Sequence, residues 1–427
     1  MELMKINTIK LTNFRSIHEA EICLNGDSAV FFGVNGSGKT SILHAVSIVF
    51  SRLVTRIVQN RFRQNIIINS SDVRVGTSQC EVTASLVVDG REYNIGRKLD
   101  KKLNRRLVIG RDGIEDFAHG FVEAYKSVYD EVIHHESNMP IFVNYGVNRS
   151  VVEIPLRIRK THVFDPLYAF ENAVYSSADF RTFFEWFRNR EDLENEVRAN
   201  DDPHYRDLQL RAVRGAIEKM MPGFSDLCVK RNPLNMKICK DGTYFNIQQL
   251  SDGEKCLLAL IGDLARRASM ANPVLGNPLL SDGIVLIDEI ELHLHPSWQR
   301  KVITTLRDTF PNLQFLISTH SPQVLSDIPD DMRVYELINT SSQFNIREMK
   351  SLRGWDINSI LENNMRSSSI NINTREQISA AYNYVKSGDY VLAEEQVNRL
   401  EEMTSNKNAD VVRLRFLINR GSKRCCT

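Results

Sequence analysis

The chain has 427 residues, of which 42% are hydrophobic and 25% are charged, and its formal net charge is +1. This length leaves room for two or three domains, and the balanced charge excludes a uniformly basic protein, so any nucleic-acid surface must be local. Seven cysteines without framework spacing favour a reducing, cytoplasmic location, and the absence of an apolar run of about 18 residues predicts no membrane partner.

A glycine-rich segment follows the first strands of the chain. Residues 5–32 read as strands on either side of Asn13–Ser16 and end in the apolar run Ala29–Phe32. The next residues, Gly33-Val-Asn-Gly-Ser-Gly-Lys39-Thr40, fit the pattern G-x-x-x-x-G-K-[ST], and an apolar helical pattern follows them. A strand, this loop and a helix in that order form the context in which the pattern binds nucleotide phosphates. Glycines let backbone N–H groups surround the phosphates, and the positive end of the helix faces them.

The loop predicts ATP and Mg²⁺ as cofactors. Lys39 is expected to reach the β- and γ-phosphates, and the Thr40 hydroxyl is expected to hold Mg²⁺. The predicted ATP-binding residues are Gly33, Asn35, Gly36, Ser37, Gly38, Lys39, Thr40 and Ser41.

The segment after the loop helix mixes strand patterns with basic residues. Glu81–Val88 and Glu92–Arg97 flank an Asp-Gly turn, which predicts a hairpin. Pro140–Tyr145 reads as a buried strand. The basic residues of Arg52–Arg63 and Lys101–Arg111 either face solvent or contact a phosphate backbone.

From about residue 166 to residue 222 the chain reads as helical. Asp179–Ala199 and Tyr205–Met221 have amphipathic patterns rich in arginine and glutamate. Four phenylalanines recur at helical spacing and predict a core or interface stripe: Phe180, Phe183, Phe184 and Phe187.

Polar residues lie at the ends of three further apolar patterns. Ser251 and Gly253 begin an apolar helix, whose N-terminus is a suitable anion site. The next apolar strand ends in Asp288, which can hold Mg²⁺ with Thr40.

Two residues at these strand ends are predicted to be catalytic. Glu289 directly follows Asp288 and can orient and deprotonate the attacking water. His320 ends the next strand, where it can hydrogen-bond a γ-phosphate.

In this order and spacing, the motifs resemble the ABC-type ATPase heads of the RecF/SMC/OLD group. The resemblance makes Leu250–Lys255 the signature motif, Ile284–Glu289 the Walker B strand, Glu291–Pro296 the D-loop region and His320 the switch. It covers roughly residues 1–45 and 245–325. It implies an α/β fold, with a mixed sheet around the phosphate loop, an inserted helical segment and a mainly helical C-terminal region.

The resemblance also implies a homodimer or higher homo-oligomer. Each ATP would lie between the phosphate loop of one subunit and Ser251, Gly253 and Glu254 of the other, so hydrolysis would require association. The Q-loop glutamine of the family has no obvious counterpart. Gln64 and the segment Tyr145–Arg149 both lie in plausible regions, and the sequence does not choose between them.

The interval between Thr40 and Leu250 contains no sustained heptads, which excludes a long coiled-coil arm. Residues 326–427 show no acidic pattern of a metal-dependent nuclease, so the chain is not expected to cut nucleic acid itself. The predicted domains are 1–165 (N-terminal part of the head), 166–225 (helical insertion), 226–330 (C-terminal part of the head) and 331–427 (strand unit and helical oligomerisation or docking region).

The compact head and the tail segment Gly354–Leu361 are similar to the ATPases of Septu-type bacterial anti-phage systems (PtuA), including retron-associated relatives. That similarity implies a self-associating ATPase that controls a separate HNH nuclease (PtuB-like), and it leaves nucleic acid open as a further partner. Two alternatives remain. One is a RecF-like repair ATPase that binds DNA through its own basic residues, and the other is an OLD-like effector with its own nuclease activity.

Overall fold

The structure is a computed structural model. It describes residues 4–58, 62, 65–88, 90–114, 118, 139–147, 166–175, 180–273, 275–340, 343–363, 372–404 and 409–425. The chain forms two compact units, Met1–Ile357 and Asn358–Thr427. Of the Q-loop positions considered, Gln64, Asn148 and Arg149 lie outside the described residues.

The described strands form three sheets in the first unit. They are β1 (Lys5–Phe14), β2 (Ile17–Cys23), β3 (Ala29–Phe32), β4 (Gln79–Val88), β5 (Arg91–Asp100), β6 (Arg105–Ile109), β7 (Ile141–Tyr145), β8 (Phe224–Arg231), β9 (Leu234–Lys240), β10 (Thr243–Asn246), β11 (Gly283–Ile287), β12 (Leu313–Thr319), β13 (Arg333–Asn339) and β14 (Phe344–Met349).

The helices lie between and after these strands. They are α1 (Lys39–Ile57), α2 (Phe180–Asn200), α3 (Leu208–Met220), α4 (Asp252–Ala271), α5 (Pro296–Gln299), α6 (Val302–Thr309), α7 (Pro322–Leu325), α8 (Ile357–Asn363), α9 (Ile372–Ser387), α10 (Tyr390–Thr404) and α11 (Ala409–Cys425).

The largest sheet has six strands in the order β14-β13-β3-β12-β11-β7. Every neighbouring pair is parallel except β13 and β14. Residues of β3, β7, β11 and β12 are all buried, as expected for parallel strands covered on both faces. The predicted α/β class with a mixed sheet is confirmed. The carboxyl ends of these strands lie at one edge, where an α/β sheet commonly binds its ligand.

Two antiparallel sheets complete the first unit. One has the order β2-β1-β4-β5-β6, and the other has the order β10-β9-β8. Strands β4 and β5 pair antiparallel, from Val88 opposite Arg91 to Gln79 opposite Asp100, as the predicted hairpin requires. From Glu19 to Cys23 along β2, Ala20 and Ile22 are buried while Glu19, Glu21 and Cys23 are exposed, so one face of this sheet packs on the core.

Helix α1 is long and apolar enough to cross a membrane by composition alone, and 72% of its apolar window is buried within the protein. The predicted phenylalanine stripe of α2 is also buried, as a core stripe requires. One of these rings, Phe183, packs directly on Gly262 of α4.

The predicted boundary at residues 330 and 331 is not where the two units separate. Strand β13 pairs in parallel with β3, from Arg333 opposite Ala29 to Glu336 opposite Phe32. These backbone hydrogen bonds make β13 and β14 part of the central sheet, and the chain divides only after Ile357.

The second unit contains helices α9, α10 and α11. Its buried core consists of Ile378, Ala381, Ala393, Val397, Leu400, Val411, Leu414 and Ile418. These residues recur at helical spacing in the sequence, which is why the three helices were predictable.

Candidate nucleotide-binding site

The glycine-rich loop connects β3 to α1 at the carboxyl edge of the central sheet. Gly33 has a φ of 153°, and a Cβ there would lie 2.4 Å from the carbonyl oxygen of Leu337. Gly38 precedes α1 with a φ of 105°. A side chain is incompatible with the first position and strained at the second, so the fold itself requires these two glycines.

Lys39 folds back over the loop. Its Nζ donates hydrogen bonds to the carbonyl oxygens of Gly33 at 2.9 Å and Val34 at 3.1 Å, and to Ser37 Oγ at 3.3 Å. The residue is only 5% exposed. Burial lowers the pKa of Lys39 to about 8, although nearby Asp288, Glu289 and Glu291 oppose the shift. A buried cation beside a loop of inward-facing backbone groups fits the charge of a nucleotide phosphate.

A hydroxyl, a carboxylate and a second hydroxyl meet where β11 and β12 end. Thr40 Oγ1 lies 3.2 Å from Asp288 Oδ1. Ser318 Oγ donates to the same oxygen of Asp288. Hard oxygen ligands of this kind suit Mg²⁺, which needs only one or two carboxylates when phosphates supply further ligands. Thr40 and Asp288 therefore fit the predicted metal site.

Ser318 also fixes the position of Glu289, the residue that follows Asp288. The Ser318 hydroxyl accepts a hydrogen bond from the Glu289 backbone N–H at 2.8 Å, and the Ser318 carbonyl accepts one from Ile290 at 3.1 Å. Glu289 has a φ of 47°, a left-handed conformation that is uncommon outside glycine. Such backbone strain persists only where surrounding contacts enforce it, and it concentrates at functional sites.

Glu291 holds the switch histidine in place. Its carboxylate accepts hydrogen bonds from Thr319 Oγ1 at 2.8 Å and from the backbone N–H of His320. Burial raises the pKa of Glu291. Burial and the charge of Lys39 lower the pKa of His320, against the opposing effects of Asp288 and a hydrogen bond to the backbone of Gly33. A neutral imidazole beside the loop is therefore favoured at neutral pH.

The signature motif forms the N-terminus of α4. Ser251 and Glu254 form a capping box, with Ser251 N to Glu254 Oε2 at 2.8 Å and Glu254 N to Ser251 Oγ at 3.4 Å. Lys240 Nζ donates to Glu254 Oε1 at 2.6 Å. Burial opposes the lowering of the Glu254 pKa, but the hydrogen bonds from Lys240 and Ser251 outweigh it. The Ser251 side chain remains exposed.

Gly253 is required by a close approach within the chain. A Cβ at this position would lie 2.2 Å from the carbonyl oxygen of His293. The D-loop region therefore packs directly on the first turn of α4. The backbone hydrogen bond from Leu292 to Glu289, at 3.0 Å, connects this contact to the Walker B end.

The structure brings the predicted residues of the phosphate loop and the strand ends together, and it leaves the signature-motif residues without hydrogen bonds to the phosphate loop. The phosphate loop, Asp288, Glu289 and His320 converge at the same sheet edge through the contacts given above. Ser251 and Glu254 make their hydrogen bonds to each other and to Lys240, and none to the phosphate loop of the same chain. Asn35 and Thr40 are exposed, and Ser41 is half-buried, at the accessible side of the loop.

Several residues at the site were not predicted. Besides Ser318, β13 contributes its last residue, Asn339, whose Nδ2 donates to the Gly36 carbonyl at 3.1 Å. Glu291 was predicted only as part of the D-loop region. The Phe344 ring lies against Gly38. A serine two residues before the switch histidine is a signal that could have identified Ser318, but no local pattern relates Asn339 to a loop some 300 residues earlier.

Comparison with known proteins gives the family. Residues 28–326 match the model of AAA_21, described as an AAA domain, putative AbiEii toxin, Type IV TA system. This match spans more than half of the chain. The chain belongs to the AAA_21 family. Membership of AAA_21 agrees with the phosphate loop and Walker B geometry and makes the chain an ATPase-type protein.

Several known proteins resemble this chain. The Retron Ec83 probable ATPase of Escherichia coli is 28% identical to it, and the match covers 84% of this chain and 76% of the relative. The Septu protein PtuA of Bacillus thuringiensis is 22% identical, with 85% and 84% covered. A solved Smc head bound to the C-winged helix domain of ScpA is 17% identical, with 81% of this chain and 98% of that chain covered at a TM-score of 0.48.

Proposed function

We propose that this AAA_21 chain is the ATP-hydrolysing subunit of a bacterial anti-phage defence complex in the cytoplasm. Two copies close head to tail around ATP and Mg²⁺, and the closed assembly controls a separate HNH nuclease. The observation that carries the ATPase part is the convergence of Lys39, Thr40, Asp288, Glu289 and His320 at one sheet edge.

Each of these side chains has a chemical role in the proposal. Lys39 binds the β- and γ-phosphates, while Thr40 and Asp288 hold Mg²⁺, which neutralises charge on the phosphate oxygens. Glu289, oriented through Ser318, accepts the proton of the attacking water. His320 donates a hydrogen bond to the γ-phosphate from its neutral imidazole.

The head-to-tail arrangement is supported by the exposed position of Ser251. Its hydrogen bonds run to Glu254, and the phosphate loop of its own chain is not among its partners. An exposed helix N-terminus is a suitable site for the phosphates bound by a second subunit. In this arrangement Ser251, Gly253 and Glu254 complete a partner's site, so that neither subunit has a complete site alone.

The defence role and the nuclease partner rest on the relatives. The matched proteins carry the names of a retron ATPase and of Septu PtuA, and both matches span most of this chain. We infer that ATP-closed subunits restrain or position the nuclease, and that loss of nucleotide or a phage-derived signal shifts this equilibrium.

The test is purification of the chain together with the product of the adjacent gene. We expect an HNH protein (PtuB-like) that co-elutes and cuts DNA in an ATP-sensitive manner. The same preparation with Lys39→Ala should keep the complex but lose the response to ATP. Absence of co-elution together with absence of ATP-sensitive cleavage would refute the partner, and metal-dependent cleavage by the chain alone would favour an OLD-like effector.

One observation favours a second function, direct DNA binding as in a RecF-like repair ATPase. Lys101 and Lys102 are exposed at the turn between β5 and β6, and Arg105 is exposed at the start of β6. If this surface binds a phosphate backbone, the purified chain should bind DNA in an ATP-stimulated and strongly salt-dependent manner. Replacing the three residues by glutamine should then abolish binding.

A further inference from the structure

A buried charge cluster lies in the middle of α4, away from the phosphate-binding residues. Asp263 is 0% exposed, and Arg266 and Arg267 are each 1% exposed. Arg266 Nη2 lies 2.7 Å from Asp263 Oδ1, and Arg267 Nε lies 2.7 Å from Asp263 Oδ2. Burial alone would raise the pKa of Asp263, but the two guanidinium groups outweigh it and hold the pKa below its usual range. The carboxylate is therefore charged and fixed in one place.

Tyr145 connects this cluster to the Walker B end. Its hydroxyl donates to Asp263 Oδ2 at 2.8 Å. Its backbone carbonyl, at the end of β7, accepts a hydrogen bond from the backbone N–H of Asp288 at 2.8 Å. A single residue therefore bonds both the proposed Mg²⁺ ligand and the centre of α4.

The centre of α4 is fixed from two other directions. Arg267 Nη1 donates to the carbonyl oxygens of Ala169 at 2.6 Å and Glu171 at 2.9 Å. A Cβ added at Gly262 would lie 2.9 Å from Cζ of Phe183, so α2 packs tightly against α4 at this position. A displacement of Asp263 must therefore move α4 as a body rather than bend one side chain.

Asp263 lies roughly three turns, or about 18 Å, along α4 from Ser251. Because a helix is stiff over this length, the position of the exposed Ser251 depends on where Asp263 is held. In the proposed dimer, Asp288 serves the subunit's own nucleotide, whereas Ser251 serves the partner's nucleotide.

We propose that Tyr145 is a positioning residue that couples the two nucleotide sites of the dimer, because its hydrogen bonds join Asp288 of one site to the helix that carries Ser251 to the other. Occupancy of a subunit's own site then favours the placement of its Ser251 against the partner's nucleotide. The inference rests on the proposed head-to-tail dimer and adds the residue that transmits occupancy between its sites.

The test removes one hydroxyl. Tyr145→Phe keeps the ring and the backbone bond to Asp288, and it leaves Asp263 paired with both arginines. The matched control is Tyr335→Phe, which removes another buried tyrosine hydroxyl of the same sheet, bonded to the Cys23 carbonyl at 2.6 Å. Both changes are made in a Glu289→Gln background, where ATP should accumulate in closed dimers, and in a Ser251→Arg background, where the loss of both shared sites should block closure of the homodimer.

We expect Tyr145→Phe to weaken the ATP-dependent dimer about fivefold or more in sedimentation, a typical coupling between sites. The Ser251→Arg monomer carrying Tyr145→Phe should bind ATP as tightly as its parent, and Tyr335→Phe should change neither quantity. Unchanged dimerisation would overturn the coupling, and weaker ATP binding by the Ser251→Arg monomer would show that Tyr145 acts on its own site alone. If the Glu289→Gln variant with Tyr145 intact stays monomeric in the presence of ATP, the shared nucleotide site is refuted, and so is the coupling that depends on it.

Discussion

Replacing Gly253 by alanine tests whether the D-loop region packs on the first turn of α4. The new Cβ would lie 2.2 Å from the His293 carbonyl oxygen, whereas ordinary contact begins near 3.4 Å, so the backbone of the D-loop region must move by about 1 Å. Overpacking of this kind costs roughly 1–3 kcal/mol. The Leu292 backbone N–H donates to the Glu289 carbonyl, so a shift of the D-loop region also moves Glu289, and ATP hydrolysis should fall as well.

Gly215 provides the matched control. It also lies within a helix, α3, but nothing lies within 4 Å of the position of its Cβ. Alanine there should raise the free energy of unfolding by about 0.5–1 kcal/mol, because alanine favours the helix over glycine. Urea unfolding of the nucleotide-free protein should therefore separate the two variants by roughly 1.5–4 kcal/mol. Equal stability of the two variants would refute the contact between His293 and Gly253.

Other predictions concern single groups at the site. Lys39→Ala should abolish ATP binding in calorimetry without unfolding the protein, and retained binding would contradict the assigned phosphate contact. Because the pKa of Lys39 is about 8 in the free protein and a bound triphosphate should raise it, ATP binding at pH 8 should take up about half a proton per site, measured from calorimetry in buffers of different ionisation enthalpy. This uptake should disappear near pH 6, and an unchanged value there would refute the assignment. Ser318→Ala removes the hydroxyl between Asp288 and Glu289 and should lower kcat by about tenfold or more with a smaller change in ATP affinity, whereas an unchanged kcat would show that it does not orient Glu289.

Local motifs predicted the centre of the candidate site from sequence. The phosphate loop, Asp288 and His320 each end or follow an apolar strand, and strand, loop and helix patterns depend on neighbouring residues. The observed helix α2, Phe180–Asn200, follows the predicted pattern Asp179–Ala199 closely for the same reason.

The remaining features depend on partners that are distant in the sequence. Strand β13 was predicted, but its pairing with β3 is set by the packing of the whole sheet. Likewise, Asp263 reads as one acid on an amphipathic helix, and only the fold shows that Tyr145 lies against it. The resemblance to the signature motif predicted Gly253 as a ligand contact, whereas the structure adds its approach to His293.

The central claim is that each ATP site is shared between two subunits, and mixing two inactive variants tests it most directly. Lys39→Ala destroys the phosphate loop and leaves Ser251 intact, while Ser251→Arg does the reverse. If sites are shared, an equal mixture contains mixed dimers with one intact site each, and ATP hydrolysis should recover to about a quarter of the wild-type rate. A mixture as inactive as its components, or full activity of Ser251→Arg alone, would contradict the shared site.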